Sequence, residues 1–398
     1  MTPSMHIPTV HVALDAIRDN YRLLCSTAAG EGGRLSPSAG GDALPAVMPV
    51  IKSDAYGHGQ VAVGKELVRA GAKLIATGSV SEGALLRAGL AGTGSPRILS
   101  LLGTVCDDDI ALAVEYDIIP VVQCFEQIEQ FKAAPKRPPL IALKCHTGMA
   151  RLGFNQGDAP RIIKALEELP DVEPIALLTH FATADMDDRP NIVQEQLDIY
   201  LSLLEPLRAK WPHLAASVCN SAGALLGDEI TRRVGPHIRR PGLTLYGCNP
   251  FNGTSLVEKG AGLRPAMEVT TRVMTLRTLE KGKTIGYGQT FTASKDLRVA
   301  IIAAGYADGF SRGFSNKGVV CINGRRAPVI GRVSMQMTAV DVSDIPDVRV
   351  GGTVQLLGGQ SAGCITADEL AGIWGTISYE VMCLFGINDK VYTGGSGR

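Results

Sequence analysis

A lysine that directly follows an apolar run is the first candidate for chemistry in this chain. Lys52 stands in the segment Val50–Gly59, VIKSDAYGHG, immediately after the apolar stretch Ala46–Ile51. Barrel enzymes build their active sites at the carboxyl ends of parallel strands, which is where this pattern predicts Lys52. Apolar surroundings lower a lysine pKa and make the amine available for a Schiff base. The alternative is an ordinary strand-end lysine that reaches solvent.

Three further residues have a chemical and a plain structural interpretation. Ser221 directly precedes the predicted helix Ala222–Leu226. Its hydroxyl is expected to cap that helix or to bind an anion, and the two roles are compatible because a helix N-terminus attracts anions. Gly242 permits a close approach of the backbone. Tyr287, taken alone, is expected to pack on a sheet. An unperturbed tyrosine, with a pKa near ~10, is also a poor base at neutral pH.

Short apolar runs alternate with amphipathic segments in the part of the chain that must position these residues. The predicted strands are Ala46–Ile51, Leu74–Gly78, Arg97–Leu102, Ile118–Val122, Leu140–Lys144, Pro174–Leu178, Ala215–Cys219 and Leu243–Tyr246. Helical spacing lies between them at Val61–Ala70, Ile110–Tyr116, Arg161–Leu169 and Val193–Leu207. Unalternating apolar runs are typical of strands buried on both faces. Eight such units over residues 10–255 predict an α/β fold with a (β/α)8 TIM-type barrel, and an open doubly wound sheet is the alternative.

The pattern of apolar residues changes after about residue 255. Strand-like runs follow at Met267–Leu279, Val299–Ala304, Val319–Ile322, Ala339–Val342 and Val354–Leu357, with helical spacing only near Asp368–Trp374. They predict a mostly β domain over 256–390 and a tail over 391–398. The opening residues 1–9, with the run His6–Leu14, are expected to pair with either domain. Gly30–Pro45 is rich in Gly, Ser and Pro and predicts a surface loop.

Composition narrows the range of partners. Lys+Arg and Asp+Glu both total 39, so the chain lacks the basic excess expected of a nucleic-acid or anionic-membrane partner. Nine scattered cysteines without a CxxC pair predict neither a disulfide framework nor a metal site. With no basic leader and no run of about 20 apolar residues, we expect a cytoplasmic protein.

Nine segments in the same order resemble the alanine racemases, a pyridoxal-phosphate-dependent family of barrel enzymes. Besides VIKSDAYGHG they are Lys144–Gly153 (KCHTGMARLG), Thr179–Asp185 (THFATAD), Asn220–Ala222 (NSA), Arg240–Gly247 (RPGLTLYG), Thr284–Phe291 (TIGYGQTF), Gly305–Gly309 (GYADG), Gly331–Met337 (GRVSMQM) and Ser378–Val381 (SYEV). Each segment alone is weak or moderate as a signal. Together they span residues 50–381, which is nearly the whole chain.

The resemblance implies that the chain interconverts L-alanine and D-alanine, a peptidoglycan precursor. Lys52 would bind pyridoxal 5'-phosphate as a Schiff base and would serve as one of two proton-transfer groups. Tyr287 would be the other, because racemisation takes a proton from one face of Cα and returns it to the opposite face. His180 and Arg240 would form a relay towards Tyr287. Arg240 would also donate to the pyridine nitrogen, and its persistent charge would keep that nitrogen unprotonated.

The resemblance also implies a set of binding residues. The cofactor phosphate would be held by Tyr56, Ser221, Tyr379 and the backbone at Gly242 and Leu243, with Asn220 and Arg151 also at the cofactor. Arg151 would contact the substrate carboxylate, and Lys144 would carry a carbamate that orients Arg151. Tyr306 and Met335 would line the substrate pocket, and in the family they reach across a homodimer interface.

Two departures leave substrate preference open. His146 stands where the family usually has Asp or Asn, and Gln336 stands where Asp is common. A racemase of the same fold for serine, lysine or several amino acids is therefore the alternative. A non-catalytic pyridoxal-phosphate-binding protein is the alternative from another class, although such proteins consist of a barrel without a β domain. A biosynthetic and a catabolic role look alike in the sequence.

Overall fold

The structure is a computed structural model, and it describes residues 8–29, 44–359 and 363–395. These residues form two compact units. The barrel unit contains 17–29, 44–55 and 60–264, and the β unit contains 8–16, 56–59, 265–359 and 363–395. Most of the predicted loop Gly30–Pro45 lies outside the described residues.

Most of the predicted strands and helices are present, with small differences at their ends, and further short elements lie between them. The strands are β1 (Thr9–Ala13), β2 (Leu74–Thr77), β3 (Arg97–Ser100), β4 (Ile118–Val122), β5 (Leu140–Lys144), β6 (Glu173–Leu178), β7 (Ala215–Ser217), β8 (Met267–Leu279), β9 (Thr284–Ile285), β10 (Phe291–Thr292), β11 (Leu297–Ile302), β12 (Val319–Ile322), β13 (Arg325–Pro328), β14 (Thr338–Asp341), β15 (Thr353–Leu357) and β16 (Asp389–Thr393). The helices are α1 (Leu14–Ala29), α2 (Lys52–Tyr56), α3 (Gln60–Arg69), α4 (Val80–Gly89), α5 (Asp107–Glu115), α6 (Phe125–Ala133), α7 (Ala159–Glu167), α8 (Pro190–Lys210), α9 (Ser221–Leu226), α10 (Asp228–Val234), α11 (Ala367–Trp374) and α12 (Ser378–Phe385). Within the parts of the chain that the structure describes, no helix is both long and apolar enough to cross a membrane.

The barrel unit is a closed ring of parallel strands. Strands β2 to β7 stand side by side in chain order. Two extended segments complete the ring through single bridges, since Val50 pairs with Ala76 on β2 and β7 pairs with His237. These two segments pair with each other at Val47 and Arg239. The predicted (β/α)8 barrel is therefore confirmed, and the open sheet is excluded.

The eighth barrel segment differs from the prediction. It covers 237–241, whereas the predicted strand Leu243–Tyr246 is a single turn of 3-10 helix. The sequence HIRRP at 237–241 lacks an apolar signal, yet Arg239 and Arg240 are only 3% and 6% exposed. The prediction is wrong here because hydropathy cannot reveal that hydrogen bonds let a charged side chain lie inside a barrel.

The β unit is built on one large, mostly antiparallel sheet. Its strands lie in the order β13-β12-β15-β8-β1-β16, and β11 joins β8 to β14. Strand β8 alternates buried and less buried residues over its first eight positions, as a strand with one face on a core should. The opening strand β1 pairs antiparallel with β8 and parallel with β16. The described part of the opening run, from residue 8 onward, therefore belongs to this unit, and residues 1–7 lie outside the described residues.

Three assignments near the chain ends and junctions need correction. Strand β16 includes residues 391–393, which were expected to be part of a tail, because their backbone continues the parallel pairing with β1. Helix α12 (Ser378–Phe385) is not in the predicted set. Residues 56–59 group with the β unit although they follow Lys52 closely in sequence.

Candidate active site

The chain turns sharply and with strain immediately after Lys52. Ser53, Asp54, Ala55 and Tyr56 have φ values of 52°, 52°, 57° and 53°, so α2 is a left-handed turn. For residues with a Cβ this conformation costs about 1–2 kcal/mol each, so surrounding contacts must maintain it. One such contact is the hydrogen bond from the Gln60 N–H to Asp54 Oδ1, at 2.7 Å. The turn ends the first barrel segment and leaves Lys52 at its carboxyl end.

Positive groups collect at the carboxyl end of the barrel. Lys144 is the last residue of β5, and burial together with the charges of Arg240, Arg151 and Lys52 lowers its pKa to about 8. Burial and the same neighbours lower the pKa of His180 to about 3, so its imidazole is neutral at physiological pH. No carboxylate is among the groups that shift these two pKa values. The cluster therefore has the charge and burial that suit a polyanionic ligand.

Arg240 is held inside the barrel by neutral oxygen atoms. Its guanidinium donates to Ser217 Oγ at 2.6 Å and to the carbonyl of Thr179, the residue before His180. Burial lowers the Arg240 pKa to about 10, which leaves the side chain protonated at neutral pH. The structure thus brings Lys52, Lys144, His180 and Arg240 together as the sequence predicts, with Arg151 on the loop after β5.

The predicted phosphate donors of the barrel unit form a compact backbone cradle. Ser221 Oγ accepts the N–H groups of Gly242, at 3.0 Å, and Thr244, at 3.4 Å. Leu243 lies between them and is buried. The N-cap of α9 is Asn220, whose side chain accepts the Gly223 N–H at 3.0 Å. The capping interpretation of Ser221 is therefore wrong, because its hydroxyl faces the Gly242 backbone instead.

Two other predicted phosphate ligands lie together in the β unit. The rings of Tyr56 and Tyr379 are 5.8 Å apart at an angle of 44°. Burial raises the pKa of Tyr56, so its phenol stays protonated and can donate a hydrogen bond. A buried phenol that donates is suited to a phosphate oxygen.

Tyr287 stands on a tight turn between two glycines of the β unit. Gly286 and Gly288 have φ values of 77° and 68°, which a side chain rarely adopts. A Cβ on Gly288 would lie 2.9 Å from Arg332 Nη1, so the turn packs directly on that guanidinium. The Tyr287 side chain is 67% exposed in the single chain.

The two predicted pocket residues are neighbours across a pair of loops in the β unit. The Tyr306 N–H donates to the Ser334 carbonyl at 3.1 Å, and the Ala307 N–H donates to the Met335 carbonyl at 2.9 Å. A Cβ on Gly305 would lie 2.2 Å from the Ser334 oxygen, so only glycine allows this approach. Tyr306 and Met335 are 43% and 58% exposed in the single chain.

Gln336, one of the two departure residues, contacts a carboxylate in the β unit. The side chain of Gln336 donates to the carboxylate of Asp308, which also accepts the Gly305 N–H at 2.9 Å. An amide can donate to this carboxylate, whereas an aspartate at position 336 would repel it.

Sequence reasoning missed a buried glutamine that supports His180. Gln196 on α8 is 1% exposed and donates to the His180 carbonyl at 3.0 Å. Helical spacing does place Gln196 on the apolar face of α8, and a polar residue there was the available signal. Among residues 8–29, 44–359 and 363–395, no group of three or more His, Cys, Asp or Glu side chains is arranged to hold a metal ion.

A closed (β/α)8 barrel with a cationic carboxyl end, joined to a mostly β unit, is the architecture of a barrel enzyme that binds an anionic group. The family model of the alanine racemase N-terminal domain matches residues 12–250, and that of the C-terminal domain matches residues 266–391. An alanine racemase of Nitratidesulfovibrio vulgaris is 44% identical over 386 residues, covering 96% of this chain and 97% of that protein. The chain belongs to the alanine racemase family.

Solved structures agree over the full length. The biosynthetic alanine racemase from Pseudomonas aeruginosa is 34% identical with a TM-score of 0.80, covering 97% of this chain and 99% of that chain. The alanine racemase from Bartonella henselae, solved with covalently bound pyridoxal phosphate, is 25% identical with a TM-score of 0.80 and the same coverage. Both units of this chain therefore have counterparts in these enzymes.

Proposed function

We propose that this chain interconverts L-alanine and D-alanine with pyridoxal 5'-phosphate as its cofactor. The observation that carries the proposal is the cluster of half-buried Lys144 and buried Arg240 around a neutral His180, beside Lys52, in a chain of the alanine racemase family. A cluster without carboxylates among its charge partners suits a ligand that carries a phosphate, a phenolic oxygen and a substrate carboxylate.

The residues present fit this cofactor. Lys52 would bind it covalently, and Arg240 would donate to the ring nitrogen. Ser221, Gly242 and Leu243 would receive the phosphate where two backbone N–H groups already converge on the Ser221 hydroxyl. Asn220 lies next to this cradle, and Tyr56 and Tyr379 would donate phenolic protons to the phosphate. When bound, the cofactor supplies an electron sink that makes the Cα proton of the amino acid acidic.

Two groups of this chain would move the proton. Lys52 would serve one face of Cα and Tyr287 the other, so that neither has to cross the substrate. Arg240 stays protonated at neutral pH and His180 stays neutral, so the proposed relay towards Tyr287 would carry a fixed charge.

Arg151 would bind the substrate carboxylate, and Lys144 would orient it as a carbamate. A pKa of about 8 leaves about a tenth of Lys144 as free amine at pH 7, and only the free amine reacts with carbon dioxide. Carbamylation would turn a repelled cation into an anion that attracts Arg151 and Arg240.

Tyr306 and Met335 would wall the side-chain pocket. Two bulky residues side by side leave space for a small group, and this favours alanine over serine, lysine or larger amino acids. The β unit argues against the non-catalytic alternative, because it supplies both of these residues together with Tyr287.

The D-alanine formed would serve as a peptidoglycan precursor, and we propose that the reaction takes place in the cytoplasm.

The working unit is proposed to be a homodimer in which each β unit completes the partner's site. Tyr287, Tyr306 and Met335 are 67%, 43% and 58% exposed in the single chain, which is unusual for large residues that must meet a substrate. An isologous dimer would cover them and exclude water. Mixing inactive Lys52→Ala and Tyr287→Phe subunits tests this, because both lesions can fall in one site and leave the second site intact. No recovery of activity after subunit exchange would exclude shared sites.

The activity itself is tested with the purified protein, pyridoxal phosphate and a panel of single enantiomers. Racemisation of alanine faster than of serine or lysine is the expected result. Bound cofactor without turnover of any amino acid would favour the binding-protein alternative. Faster turnover of a larger amino acid would reassign the substrate and keep the reaction type.

A further inference from the structure

Side chains on three helices of the barrel unit each join two consecutive loops at its carboxyl end. We call Glu82, Gln127 and Gln196 the loop bridges. Gln127 on α6 accepts the Gln123 N–H at 2.8 Å and donates to the Thr104 carbonyl of the preceding loop at 2.7 Å. Each such contact links the loop that follows one strand to the loop that follows the strand before it.

Gln196 on α8 repeats the arrangement. It accepts the Ala182 N–H at 2.9 Å and donates to Thr147 Oγ1 at 3.0 Å, besides its bond to the His180 carbonyl. Both glutamines therefore use one acceptor and one donor. An amide supplies both, which explains the residue type at these two positions.

Glu82 differs because both of its loop partners are donors. Its Oε2 accepts the Gly78 N–H at 2.6 Å, and its Oε1 accepts the Ser53 N–H at 2.9 Å. Ser53 directly follows Lys52, and a Cβ on Gly78 would lie 3.3 Å from Lys52 Cβ. A carboxylate accepts at both ends, so glutamate suits this bridge and glutamine does not.

A local capping role does not account for this carboxylate. The spacing Ser79-x-x-Glu82 is that of a capping box, in which the glutamate side chain returns to the N-cap backbone. The Ser79 hydroxyl accepts the Glu82 N–H at 3.1 Å, as in such a box. The carboxylate of Glu82 instead reaches Gly78 and, 29 residues away in sequence, Ser53, and both of these residues lie next to Lys52.

We infer that Glu82 is a positioning residue for Lys52. It holds the first N–H of the left-handed turn Ser53–Tyr56 against the end of β2, and so sets where the Lys52 side chain starts. A turn with four successive positive φ values relaxes when its contacts are removed. The expected effect on the backbone does not depend on the reaction. Only the expected effect on the kinetics rests on the proposed function, in which Lys52 transfers a proton.

The test is the substitution Glu82→Gln. It keeps the shape of the side chain but turns an amide –NH2 towards the N–H of either Ser53 or Gly78, so that one of the two hydrogen bonds is lost. Hydrogen exchange measured by mass spectrometry on the cofactor-loaded enzyme should show the peptide containing Ser53 or Gly78 exchanging about tenfold faster. In the alanine assay kcat should fall about tenfold to a hundredfold with KM changed less than about threefold. The primary deuterium isotope effect should rise for the enantiomer whose proton Lys52 removes and should not rise for the other.

Gln127→Glu is the matched control. This swap is equally isosteric and likewise breaks one bond of a loop bridge, but on the opposite side of β3 from Lys52. It should lower the melting temperature to a similar degree and leave both isotope effects unchanged. Glu82→Asp retains two acceptors and should lie between wild type and Glu82→Gln, and it replaces Glu82→Gln in these measurements if that variant does not fold.

The outcomes separate this inference from the proposed function. Unchanged exchange at Ser53 and Gly78 in Glu82→Gln would overturn the inference, whatever the enzyme catalyses. Faster exchange with equal isotope effects for both enantiomers would reduce Glu82 to a structural role and also overturn it. A wild-type protein that does not racemise alanine would refute the proposed function, and the exchange result would still decide whether Glu82 holds the turn.

Discussion

The lowered pKa of Lys144 leads to a direct prediction for the free energy of unfolding. Its pKa is lowered from 10.5 to about 8, with burial as the largest cause and the charges of Arg240, Arg151 and Lys52 next. At about 1.4 kcal/mol for each factor of ten, the ammonium form costs about 3 kcal/mol in the folded chain. The cost is fully present below pH 8 and disappears as the pH rises from 8 towards 10.5, because the unfolded chain then binds more protons.

We expect the destabilisation caused by Lys144 to become a stabilisation when its amine reacts with carbon dioxide. Without carbon dioxide, at pH 7, Lys144→Met should raise the unfolding free energy by up to about 3 kcal/mol, since it removes a buried, repelled cation. With bicarbonate present, wild type should become more stable and Lys144→Met should not respond. Denaturant unfolding of both proteins, with and without bicarbonate, measures the four values.

Activity gives a second, independent readout of the same modification. Lys144→Ala should lose activity, and small carboxylates such as acetate should restore part of it by replacing the carbamate beside Arg151. Lys136→Ala, at a lysine on the loop before β5, is a matched control that should respond to neither bicarbonate nor acetate. The reasoning is refuted if bicarbonate changes neither stability nor activity of wild type while Lys144→Met remains the more stable protein.

Three further predictions concern single positions. Borohydride reduction of the cofactor-loaded protein, followed by peptide mapping, should mark Lys52, and a label on another lysine would remove the assignment. Tyr287→Phe should reduce Cα–hydrogen exchange unequally for D- and L-alanine, whereas equal losses would indicate a one-base reaction or a structural tyrosine. Gly305→Ala should lower stability by about 1–3 kcal/mol, because its Cβ would meet the Ser334 carbonyl oxygen at 2.2 Å. Gly372→Ala, whose Cβ meets nothing within 4 Å inside α11, is the control and should be neutral or stabilising.

The amino-acid sequence by itself determined the class of fold and the order of its parts. Strands such as β4 and β5 coincide with the predicted runs because a strand buried on both faces must be apolar along its whole length. Strand β8 was equally visible, since one face of it packs on a core and the other does not. The resemblance to a family needed only the local motifs.

Only the tertiary structure decided where charge and backbone strain are located. The eighth barrel segment carries the buried residues Arg239 and Arg240. The burial of Arg240 depends on the hydrogen bond that its guanidinium donates to Ser217 on β7. The low pKa values of Lys144 and His180 arise first from burial and then from cations that four different barrel segments and loops bring together, so no local pattern contains them. The same holds for Glu82, whose spacing from Ser79 is that of a local cap. Its carboxylate binds the backbone next to Lys52 because the ring of strands closes and sets β2 beside the first segment.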